Sequence, residues 1–121
     1  MGLDQSLYAK RKNRPDAGLG YWRKANHIHD WFIKNCANGV DDCNQVRVSL
    51  AKLRELKSIC EKVKKEHGFA EILLPTQSGF FFGGIEYDEY YFREIDDTIK
   101  ILNEALEMKG IGWKFYYHAS W

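Results

Sequence analysis

His27, His29, Cys36 and Cys43 fall within one short stretch and are the residue types that zinc prefers. Their spacing argues against a site. Histidines two apart on a helix point to different sides, and the thiols form no Cys-x-x-Cys pair. A cysteine nucleophile at Cys36 or Cys43 finds no local activation, because the carboxylates of Asp41 and Asp42 oppose a thiolate. The acidic run Glu86, Asp88, Glu89, Glu94, Asp96 and Asp97 offers ligands for a divalent cation or a pair of acid–base carboxylates. It lacks the spacing of a calcium loop, and Asp88 and Glu89 stand where a helix start favours negative charge. The expectation is no metal, no cofactor and no catalytic residue.

Binding chemistry is better supported. Pro75-Thr76-Gln77-Ser78-Gly79, followed by three phenylalanines and Gly83-Gly84, combines close backbone approach, polar side chains and an aromatic wall. No Gly-Lys-Ser/Thr follows and no dinucleotide fingerprint is present, and buried phenylalanine is the commoner fate, so for this segment a structural loop with core phenylalanines is favoured over ligand binding. Arg23, Asn26 and Asp30 would share one face of a helix and could hold an anion or a nucleobase. The predicted ligand contacts are Arg23, Asn26, Gln77, Ser78, Tyr87 and Asp88. An alternative is a small enzyme acting on a nucleotide or nucleic acid, with His29, Asp41, Asp42 and Asp88 as acid–base or metal residues. A third reading is a basic module that uses residues 10–14 and 23–24 on nucleic acid.

The elements that must position these residues follow from periodicity. Residues 3–9 read as a strand, and Lys10-Arg11-Lys12-Asn13-Arg14-Pro15-Asp16 as a solvated loop. Trp22, Ala25, Ile28 or His29, Phe32 and Cys36 predict a helix over about residues 21–36. Val46-Arg47-Val48 is a brief strand before Ser49, a helix N-cap. Leu50, Leu53, Leu56, Cys60 and Val63 then mark a helix to about residue 67, ended by Gly68. Residues 73–84 read as a loop or irregular strand. Tyr91 or Phe92, Ile95, Ile99, Leu102 and Leu106 predict a third helix from Asp88 to about Met108. The aromatic end, residues 113–121, predicts a strand that pairs with residues 3–9. The expected fold is α+β, one domain over residues 1–121, with three main helices on a small antiparallel sheet of N- and C-terminal strands.

The chain has 121 residues, 45% of them hydrophobic and 15% aromatic, enough for one core. No stretch approaches the roughly 20 apolar residues of a membrane span, and the first residues do not resemble a signal peptide. Three cysteines form no secreted framework, so reduced thiols and a cytoplasmic setting are expected. The net charge of +1 argues against nucleic acid, although a local patch can suffice. Residues 1–67 carry 14 Lys/Arg and 8 Asp/Glu, whereas residues 68–121 carry 4 and 9. The fold decides whether that asymmetry reaches the surface.

Gly20-Tyr21-Trp22-Arg23-Lys24-Ala25-Asn26, His29-x-Trp31-Phe32, Gly39-Val40-Asp41-Asp42-Cys43, the segment from Leu74 to Gly83, Glu86-Tyr87-Asp88-Glu89-Tyr90-Tyr91 and Tyr116-Tyr117-x-x-Ser120-Trp121 together resemble a family of small proteins encoded by bacteriophages and prophages. The resemblance spans nearly the whole chain; the connection after the first strand is shorter here than in many members. It implies a context rather than a reaction. The expectation is an accessory protein in the host cytoplasm, monomer or homodimer, that neutralises a host defence component. It would do so by capping a defence protein, as anti-CRISPR proteins do, or by sequestering a nucleotide-like signal.

Overall fold

The computed structural model describes residues 2–79, 83–108 and 112–121. Strand β1, Asp4–Lys10, alternates buried and half-buried residues and lies between two antiparallel neighbours. Strand β4, Lys114–Ser120, pairs with it from Asp4 opposite Ser120 to Lys10 opposite Lys114, the pairing expected between the aromatic C-terminal end and residues 3–9. β2, Ala17–Arg23, forms a hairpin with β1, and β3, Val46–Val48, pairs with β4, giving the sheet order β2-β1-β4-β3. The fold is α+β, with a sheet wider than its two terminal strands.

β2 corrects the sequence reading, which placed residues 21–23 in a helix. Trp22 does face the core, as the helical stripe required, but it does so by strand alternation, with Tyr21 and Arg23 exposed on either side. Gly20 permits this, because a Cβ there would overlap the side chain of Ile101. Lys24 then takes a left-handed conformation, φ 59°, and its amide donates to Leu3 O at 2.7 Å. This turn starts helix α1, Asn26–Cys36, five residues later than the stripe suggests. The buried Gln5 side chain braces the turn by accepting from Ala25 N at 2.9 Å and donating to Ala25 O at 3.1 Å.

Helix α2, Leu50–Lys65, is capped by Ser49, whose hydroxyl accepts from Lys52 N at 3.2 Å. Leu53, Leu56, Cys60 and Val63 are buried as the stripe predicts, whereas Leu50 is exposed. A 3-10 turn, His67–Phe69, and a short helix α3, Ala70–Leu73, follow where a plain stop at Gly68 was expected. Helix α4, Glu89–Leu106, lies against α2. There Lys64 Nζ meets Asp96 at 3.2 Å, so the basic and acidic halves of the chain interleave. Trp22 Nε1 donates to Thr98 Oγ1 of α4 at 2.8 Å and ties the sheet to the helical layer. No helix among the described residues is long and apolar enough to cross a membrane.

Candidate functional site

The loop after α3 is held by side chains from outside it. Tyr91 Oη donates to Leu74 O at 2.8 Å, and Thr76 N donates to Tyr87 Oη at 3.1 Å. Asn26, the first residue of α1, accepts from Gln77 N at 2.8 Å and donates to Gly84 O at 2.9 Å. One buried amide therefore joins the two limbs of the loop. Residues 80–82, the three phenylalanines that could have formed a stacking wall or core, lie outside the described residues.

On one side of this loop lies a cleft of about 420 Å³. The end of β2 supplies Arg23 and Lys24 to its wall, and the start of α4 supplies Arg93 and Glu94, with Glu86 and Asp88 between. Asp88 is the N-cap of α4, its Oδ1 accepting from Tyr90 N at 3.1 Å and Tyr91 N at 3.2 Å, as the charge at a helix start predicts. His27 also lines the cleft, 2% exposed, with its ring 4.2 Å from that of Tyr91. Its Nε2 has no hydrogen-bond partner among the described residues. Burial pushes His27 down to about 3, so it is neutral. Burial, with Asp97 and Asp88 nearby, pushes Glu94 up to about 8. At neutral pH the walls thus present three cations against the carboxylates of Glu86 and Asp88.

These two shifts have a measurable consequence. The unfolded chain protonates His27 as pH falls below its ordinary value of 6.5, and the folded state does not, so acidification removes stability. Glu94 behaves oppositely, because the folded state keeps a proton that the unfolded chain releases above 4.5, and stability is lost as pH rises toward 8. Between those ordinary values the two slopes cancel. Urea melts should give a stability plateau between about pH 4.5 and 6.5 with losses on both sides. Glu94→Gln should abolish the alkaline loss; an unchanged alkaline limb would place the buried proton elsewhere.

On the other side of the loop a second cavity, about 280 Å³, is lined by His29, Asp30, Lys34, Asp41, Gln77 and Ser78. His29 is buried, its Nδ1 2.7 Å from Tyr117 Oη and its Nε2 2.9 Å from Asp41 Oδ2. Trp121 Nε1 donates to the other oxygen of Asp41 at 3.2 Å. Burial pushes the Tyr117 hydroxyl well up and keeps it protonated. With both ring nitrogens engaged, His29 serves as a strut that ties residue 41 and β4 to α1.

The four residues of the enzymatic alternative are accordingly divided. His29 and Asp41 meet, Asp42 accepts from Asn44 N at 3.2 Å within its own turn, and Asp88 caps α4. Among the described residues no three His, Cys, Asp or Glu side chains gather as metal ligands would. Burial pushes the Cys36 thiol up to about 11 and the Cys60 thiol higher, away from nucleophilic use.

Nothing matches this chain among protein-family models, curated proteins or solved structures. Its site is read from geometry.

Of the six predicted contacts, Arg23 and Asp88 line the first cleft, and Gln77 and Ser78 line the second cavity. Asn26 and Tyr87 stand between them and hold the loop. The expected row of Arg23, Asn26 and Asp30 on one helical face does not form, because Arg23 belongs to β2. Its guanidinium approaches Asp4 at 4.0 Å, and Asp30 pairs with Lys34 at 2.9 Å. Sequence reasoning missed His27, Arg93 and Glu94 as cleft residues. His27 and Glu94 were legible only as metal or acid–base candidates, and for Arg93 the three-residue step from Tyr90 on the exposed side of α4 was the available signal.

Proposed function

We propose that the protein is a non-catalytic binder that captures a small anionic, nucleotide-like ligand in the 420 Å³ cleft between Arg23, Lys24 and the start of α4. The observation that carries this reading is the Nε2 of buried His27 in the wall of that cleft, which has no hydrogen-bond partner among the described residues. Buried polar atoms nearly always have a partner, and a ligand hydrogen bond would supply one. The volume lies in the range of small-molecule sites, and the three cations suit phosphate or carboxylate. Tyr90 and Tyr91 give the cleft aromatic surface for a ring. In the bacteriophage setting that the sequence resemblance implies, such a binder would withdraw a nucleotide signal from a host defence system.

A thermal melt against nucleotides, cyclic nucleotides and NAD-derived signals tests the reading. A ligand at about 100 times its Kd adds about 2.7 kcal/mol, which is on the order of ten degrees for a chain of this size. Arg23→Gln, at a side chain 64% exposed and therefore spared from a role in packing, should reduce the shift. The shift should also weaken above about pH 8, where Glu94 ionises and opposes an anion. No shift across the panel would overturn the small-ligand form of the proposal, and turnover of a ligand would overturn its non-catalytic form.

A further inference from the structure

The helices cover one face of the sheet, where Gln5, Leu7, Ala9, Trp22, Val48, Phe115, Tyr117 and Ala119 are buried. The alternate residues emerge on the opposite face, half-exposed or exposed. At its centre Tyr8 and Tyr116 sit opposite each other on β1 and β4, ring centres 5.8 Å apart and 24° from parallel. The Tyr8 hydroxyl bonds to Gln45, which fixes that ring at the β3 side.

Cations from three strands, β1, β3 and β4, surround this pair. Lys10 Nζ is 5.6 Å from the Tyr8 ring centre and 5.5 Å from that of Tyr116, and Arg47 Cζ is 5.9 Å from the latter. Lys114 lies directly across the strand pair from Lys10. None of Lys10, Arg47 and Lys114 makes an ion pair among the described residues. Like charges directly opposite on paired strands are destabilising. An isolated sheet has no reason to gather them, and a polyanion laid across the face would relieve the repulsion.

We infer that this open sheet face binds single-stranded nucleic acid, with bases stacking on Tyr8 and Tyr116 and phosphates neutralised by Lys10, Arg47 and Lys114. Unpaired bases are required, because a duplex keeps its base faces inside the stack whereas every exposed base offers a π-face to a tyrosine. The net charge of +1 conceals such a surface, because it averages these cations with acidic side chains on α4. The β1–β2 turn extends the basic edge through exposed Lys12 and Arg14. This surface is separate from the His27 cleft and does not depend on the ligand proposed there.

Fluorescence anisotropy of a labelled oligothymidine strand and of a duplex of equal length, added to the full chain, provides the test. Strand binding is expected at 50 mM salt, falling roughly twentyfold by 200 mM if three phosphates are neutralised, with the duplex bound more weakly. Tyr116→Leu should weaken strand binding about tenfold through one lost stack. Arg47→Gln, on an exposed edge position that folding does not need, should lower the salt slope by about 0.7. Arg54→Gln, the same charge change on α2, should leave affinity within about twofold. The inference fails if the strand does not bind at 50 mM salt, if the duplex binds as tightly, or if Arg47→Gln leaves affinity and salt slope unchanged.

Discussion

Asn26→Ala should destabilise the protein by roughly 2–4 kcal/mol and at the same time loosen both limbs of the loop that separates the two cavities. The side chain is 2% exposed and contributes little apolar area, so the loss comes from the groups it leaves behind. Without it the Gln77 N–H and the Gly84 carbonyl lose their partners, each at a cost of about 1–3 kcal/mol where water cannot replace them. Asn26→Asp retains the acceptor for Gln77 but not the donor for Gly84. It should therefore keep slow amide exchange at Gln77 better than Asn26→Ala does. Urea denaturation gives the stability change and hydrogen exchange gives the local one. A loss below about 1 kcal/mol with exchange unaltered would mean that Tyr87 and Tyr91 suffice to hold the loop. The ligand-induced shift proposed for the His27 cleft should also shrink in Asn26→Ala, because Gly83 and Gly84 form part of its wall.

The second large effect is in the core. Leu53→Ala should cost about 2–5 kcal/mol, as a fully buried leucine on the face that α2 turns to its neighbours. The periodicity of the sequence predicts the same cost for Ile99→Ala, but the structure moves that burden to another residue. On α4 the buried positions are Tyr91, Ile95, Thr98, Leu102 and Ala105, and Ile99 lies beside this stripe, half-buried. Ile95→Ala should therefore show the 2–5 kcal/mol loss and Ile99→Ala about 1–2 kcal/mol. Urea midpoints at constant slope measure all three. If Ile99→Ala equalled Ile95→Ala, α4 would have to be rotated relative to α2.

Thr98 explains why the stripe misleads at this position. A hydrophobic pattern passes over threonine, yet Thr98 takes the interior place because its hydroxyl is satisfied twice, accepting from Trp22 Nε1 and donating to Glu94 O at 2.6 Å. Trp22 likewise satisfies a helical stripe by accident of spacing. A residue three before Ala25 and six before Ile28 cannot reveal whether it reaches the core from a helix or from a strand that points there. Gly18 and Gly20 belong to that strand, and Gly20 lies directly against Ile101 of α4.

The sequence by itself determined what depends on near neighbours along the chain. The apolar steps of Leu53, Leu56, Cys60 and Val63 and the hydroxyl of Ser49 define α2, Asp88 defines the start of α4, and the alternation near both ends defines β1 and β4. Those signals are local because caps and amphipathic faces are set within a turn or two of backbone. The site depended on contacts that no local signal encodes. Asn26 reaches Gly84, Lys10 meets Lys114, and His27 loses its solvent only when α1, α4 and the loop close around it. Burial and cross-strand register are properties of the assembled layers, so the charge states in the cleft and the cations on the open sheet face were decided by tertiary structure alone.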